Sequence, residues 1–89
     1  MDYIPQILKD CGDIIKQKNH DYDNAFDKAC DMFTDTYAAS KIYEKTMRIV
    51  TLSKEKEHVK GEGLEDALMD CIGYCTLYLN RIHNKNNGR

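Results

Sequence analysis

Apolar residues return at three- and four-residue steps along most of the chain, the period of helices with one buried face. Ile4, Ile7, Leu8, Cys11, Ile14 and Ile15 predict a first helix over about 4–18. Pro5 is tolerated in its first turn, where a missing N–H breaks no helical bond. The polar stretch 19–23 interrupts the pattern, and Asp23 or Asn24 is placed to cap a short second helix carrying Ala25, Phe26, Ala29, Cys30 and Phe33. Thr34, Asp35 and Thr36 offer the next cap. A third helix then runs to about Glu55, its apolar line Ala38, Ile42, Ile49 and Leu52 widened by Tyr43, Met47 and Val50. Residues 58–63, ending in Gly61-Glu62-Gly63, predict a turn. A fourth helix follows over about 64–83, with Leu64, Ala67, Leu68, Cys71, Ile72, Cys75, Tyr78, Leu79 and Ile82 on its buried side. No segment alternates with period two. The expected fold is all-α: four helices, the third and fourth forming a long antiparallel hairpin. Residues 1–83 form one domain in this reading, and 84–89 a disordered polar tail.

Length adds a constraint. A chain of 89 residues keeps a large share of its surface in water, so a single core of this size is marginal. Dimerisation or higher assembly is therefore expected to complete the core, making a homodimer or larger homo-oligomer the first expected partner. Four cysteines, at 11, 30, 71 and 75, follow neither a disulfide nor a zinc spacing, and Cys71 and Cys75 suit helix packing. The N-terminal residues lack a signal-peptide pattern and no apolar run is long enough to span a membrane, so a cytoplasmic protein with reduced thiols is expected.

The formal net charge of −2 argues against general nucleic-acid binding, which calls for a basic surface. The charges are nonetheless segregated. Residues 1–35 hold eight acids and four bases, whereas 36–60 hold three acids and six bases. Such a division suits a metal-binding pole beside an anion-binding one; solvated helix faces would produce it as well.

Three segments carry candidate chemistry. In the fourth helix, Asp66 and Asp70 are one turn apart on one face, where mutual repulsion is relieved by a cation such as Mg²⁺. Asp70 borders the apolar side, so it calls for a metal or for a basic partner, Lys45 or Arg48, on the neighbouring helix. Gly73, costly inside a helix, hints at a close approach. In the third helix, Glu44 and Arg48 are spaced as a helix-stabilising ion pair, or alternatively as a metal carboxylate beside phosphate ligands Lys41, Lys45 and Arg48. Stacked Lys41 and Lys45 repel unless an anion lies over them. The third segment runs from Lys18 to Asn24. Its Tyr22 is suited to stacking on a base, and Asp21 or Asp23 to a metal or sugar hydroxyl; helix capping and a solvated loop account for the same residues. There is no glycine-rich phosphate loop and no Ser/His or Cys/His constellation.

Lys18-x-x-Asp21-Tyr22-x-Asn24-Ala25-Phe26, Lys41-Ile42-Tyr43-Glu44-Lys45-x-x-Arg48 and Glu65-Asp66-x-Leu68-x-Asp70-x-x-x-Tyr74 together resemble the nucleotide-modification-associated domains of phage and bacteria. These in turn look like relatives of the all-α MazG-like and dimeric dUTPase-like nucleoside triphosphate pyrophosphohydrolases. The resemblance implies a helical bundle with a Mg²⁺ site and release of pyrophosphate from a nucleotide, including modified nucleotides. It would make Glu44 and Asp70 catalytic, Glu44, Asp66 and Asp70 metal ligands, and Lys18, Asp21, Tyr22, Lys41, Lys45 and Arg48 substrate contacts. Met47 and Ala67 stand where two further acids of that pattern belong. This departure keeps two alternatives open: a catalytically degenerate module that binds or sequesters a nucleotide, and a phage-type helical factor that inhibits host defence by binding a host protein.

Overall fold

The computed structural model describes residues 1–54 and 63–87. It holds four helices in those residues: α1 (Ile4–Asp21), α2 (Ala25–Phe33), α3 (Thr36–Lys54) and α4 (Leu64–Asn86). No strand occurs among the described residues, so the fold is all-α as the periodicity predicts. None of these helices is long and apolar enough to cross a membrane. The predicted turn at 58–63 lies outside the described residues except for Gly63, whose φ of 112° is a backbone geometry glycine adopts without strain.

The helix ends differ from expectation in two places. Polar side chains of α1 bond one turn apart along its wet face, Gln6 to Asp10, Lys9 to Asp13 and Gln17 to Asp21, and carry the helix three residues past Lys18. Asp21 is thus the last helical residue of α1. The chain turns through Asp23 and Asn24 in the left-handed region, φ 52° and 57°. Neither side chain caps α2: Asn24 accepts instead from Asn19, and Asp23 pairs with Lys28. At the other end of the chain α4 runs to Asn86, so residues 84–86 of the expected tail are helical. Lys85 is held there by Asp35 at 3.2 Å.

The helix α4 organises the rest. Leu52 lies against Gly63 and Lys45 against Asp70, so α3 runs antiparallel to α4, the expected hairpin. Cys11 meets Met69 at 3.4 Å and Ile15 lies beside Gly73. These pairings rise in step, so α1 runs parallel to α4 on another side. The short α2 closes over the far end of the hairpin. Phe26, Cys30 and Ala38 are buried there, with Tyr37, Tyr74, Leu77 and Tyr78 packed around them. The Phe26 ring meets Tyr37 edge-on at 6.0 Å and Tyr74 at 6.1 Å, spacings favourable for aromatic pairs. Burial raises the pKa of the Cys30 thiol above its ordinary value, which suits a thiol used as packing.

Elsewhere burial is thin. Cys11 is buried on α1, while Ile4, Ile7, Leu8 and Ile14 stay exposed. The expected inner face of α4 is also divided: Ala67 is buried, but Leu68, Leu79 and Ile82 are exposed.

Candidate functional site

Between α1 and α4 lies an open groove of about 1100 Å³. It exists because two parallel helices touch at only a few side chains. On the α1 side it is lined by Ile7, Cys11, Ile14, Ile15, Lys18 and Tyr22, and on the α4 side its polar residues are Glu65, Asp66 and Asp70. Gly73 lies on its wall. A Cβ there would meet only Ile15, at an ordinary 3.8 Å, so among the described residues no other helix of this chain approaches the glycine closely.

Asp70 is the electrostatic centre of the groove. Lys45 reaches it from α3 at 3.3 Å and Lys18 from α1 at 3.9 Å. The two ammoniums flank one half-exposed carboxylate, while Glu65 and Asp66 keep the groove's α4 wall acidic. The helix-pairing role open to Lys45 in the sequence is therefore present, and Lys18 joins it from a segment far away in the chain. Asp66 lies one turn before Asp70, exposed at the groove.

The remaining sequence candidates are placed elsewhere. Glu44 is exposed and pairs with Lys41 at 3.4 Å, not with Arg48. Lys41 also stands over the Tyr37 ring at 5.7 Å. Burial works against its charge, but Glu44 outweighs burial and raises its pKa overall. Lys41, Glu44, Lys45 and Arg48 all fall outside the groove lining, and of these Lys45 alone pairs with a groove residue, Asp70. Asp21 accepts a hydrogen bond from Gln17 at 3.0 Å and stays outside the groove lining, whereas Tyr22 joins it. Glu44, Asp66 and Asp70 do not come together as the expected three-carboxylate cluster. Among the described residues no group of three His, Cys, Asp or Glu side chains is arranged to hold a metal ion.

A second polar centre is absent from the sequence reading. Arg81, buried on α4, donates to Asp35 at 2.8 Å, to Asp31 at 2.7 Å and to Asp27 at 3.4 Å. Its guanidinium fork ties α2, the α2–α3 junction and α4 together. The bond from Arg81 holds the Asp35 carboxyl below the ordinary carboxylate range, and Lys85 adds to the effect. The signal was present in Asp27, Asp31 and Asp35, four residues apart along one line, opposite a single arginine in an apolar helix.

A family model described as nucleotide modification associated domain 1 matches residues 18–82. The chain belongs to this family. The matched span of the nucleotide modification associated domain begins at Lys18 and takes in α2, α3 and α4 up to Ile82, so it includes both lysines that meet Asp70. No curated protein and no solved structure gives a significant match to the chain.

Proposed function

We propose that the α1–α4 groove binds a nucleotide, its phosphates at Lys18 and Lys45 and its base against Tyr22 and the apolar wall. The convergence of two lysines on Asp70 carries this reading: Lys18 lines the groove with Asp70 and Tyr22, and Lys45 reaches the same carboxylate from α3, outside the lining. A phosphate offers the two ammoniums more negative charge than one carboxylate does, so the lysines have reason to exchange partners. Tyr22, exposed at the α1 end, presents a ring face for stacking. The family description, which speaks of nucleotide modification, supports the same ligand class.

The acids fit Mg²⁺ in one specific sense. Asp66 and Asp70, one turn apart on the groove, are the one or two carboxylates from which Mg²⁺ is usually held when substrate phosphates supply other ligands. They would hold the ion together with those phosphates, and it would neutralise phosphate charge that Asp70 otherwise repels. Glu44 is too differently placed to belong to this set.

The MazG-like and dimeric dUTPase-like resemblance adds a catalytic version, in which pyrophosphate is released. Binding without turnover is the better-supported form, because Met47 and Ala67 replace two acids of that pattern and Glu44 is turned to Lys41. Calorimetry with the four deoxynucleoside triphosphates, each with Mg²⁺ and with EDTA, tests the reading. Binding of at least one nucleotide is expected, weakened about tenfold or more by Lys45→Ala through loss of a charge-assisted contact. No binding by any of the four in either condition would refute it. A parallel assay for released pyrophosphate separates the forms, since turnover would restore the hydrolase.

A further inference from the structure

Leu68, Ile72, Cys75, Leu79 and Ile82 follow one another along α4 at four- and three-residue steps and so form one stripe. Periodicity alone assigns this stripe to a core. In the structure Leu68 is 43% exposed, Leu79 67% and Ile82 40%, with Ile72 and Cys75 half-buried. The stripe is also nearly symmetric: Leu68 and Ile82 stand seven residues to either side of Cys75, with Ile72 three before it and Leu79 four after. A two-fold interface requires that kind of self-complementarity, because each residue must suit the place its counterpart occupies.

We propose that a second copy of this chain docks antiparallel along this stripe, α4 against α4, with Cys75 at the two-fold axis. Leu68 then meets the partner's Ile82, and Ile72 the partner's Leu79. Charge agrees with this direction. Glu65 in the first turn of α4 and His83 in its last turn lie on one flank of the stripe, and the antiparallel arrangement brings Glu65 level with the partner's His83. It also sets opposite ends of the two helix dipoles side by side.

The chain as a whole has surface to spare for an interface. A folded monomer of this mass exposes about 5,400 Å², whereas this chain exposes 6920 Å². An interface of standard size removes about 800 Å² from each partner, well within the surplus. The radius of gyration of 14.5 Å likewise exceeds the roughly 12 Å of a compact chain of this length. Leu68 and Ile72 also line the α1–α4 groove, so the second copy would close one edge of it. The docking holds whatever that groove binds.

Sedimentation equilibrium on the full chain tests the proposal. Twice the 10.3 kDa chain mass is expected for the unaltered protein and for Met47→Glu, which alters an apolar residue on the outer side of α3. Leu79→Glu and Ile82→Glu are expected to retain helical circular dichroism and to raise the dissociation constant roughly a hundredfold, because each places a charge in an apolar contact. A monomer at high micromolar concentration in the unaltered chain overturns the proposal, as does a dimer that survives Leu79→Glu or falls apart in Met47→Glu. Hydrogen exchange on the unaltered chain decides the matter if the variants fail to fold. Protection must rise with concentration along residues 68–82, and a rise confined to α3 overturns it.

Discussion

The two ends of α4 are held by different physics. Around its C-terminal half, α2 and α3 enclose an aromatic core beneath a buried arginine that three aspartates satisfy. Along its N-terminal half, α1 rests on a few apolar contacts, and the charges there are partly wet. The closed end is built to persist. The open end has free volume and exposed ion pairs, so the firm core and the proposed binding groove occupy different stretches of one helix.

The largest effect is expected at the closed end. Arg81→Ala leaves Asp27 and Asp35 facing one another without their shared cation and should cost about 3 kcal/mol, read from urea denaturation. Phe26→Ala should cost a similar amount, about 3 kcal/mol, through the cavity left among Tyr37, Tyr74 and Cys30. Ile14→Ala on the open side is the matched control, with an expected loss below about 1 kcal/mol because that side chain is already half in water. Equal losses for Phe26→Ala and Ile14→Ala would abolish the contrast between the ends.

The next test is pH. The Asp35 pKa is lowered in the fold, so its contribution is complete above the unfolded carboxylate value and is lost as pH falls through that value toward the folded one. Acid should therefore loosen the closed end first. Protection of α2 amides, measured against their intrinsic exchange rates at each pH, should fall below about pH 4, and Asp35→Asn should remove that dependence. Protection lost first along α1 over the same range would reverse the assignment.

The smallest expected effect lies on the open side and has the opposite sign. A Cβ at Gly12 would meet no atom within 4 Å. Gly12→Ala should accordingly stabilise α1 by about 0.5–1 kcal/mol through helix propensity, visible as a small rise in Tm. A destabilised variant would mean that α1 is covered at that position by something beyond this chain.

Much of this architecture was legible in the residues. Three- and four-residue periodicity placed all four helices and the antiparallel hairpin, because a helix needs only local spacing to declare its buried side. Ends were read less well. Side-chain bonds such as Gln17 to Asp21, and the hold of Asp35 on Lys85, extended helices beyond the point where apolar spacing stops. The candidate residues divided in the same way. Asp66 and Asp70 fall together on the groove because one helix fixes their spacing, and Lys45 reaches Asp70 because the hairpin sets its register. Glu44 failed to join them: periodicity places it on α3 but says nothing of how far that part of α3 turns from the groove. Arg81 escaped notice since its three acids lie on elements that meet it only after folding.

The sequence by itself determined the helices, the hairpin and an apolar face on each helix. Tertiary structure decided which of those faces are covered, and it left the stripe of α4 and much of α1 in water. It also brought Lys18 and Lys45, on different helices, to one carboxylate, and gathered three aspartates around one arginine. The physical reason is that periodicity records what lies on the same side of one helix. Whether two sides meet depends on the packing angle and distance between helices, which no local pattern encodes.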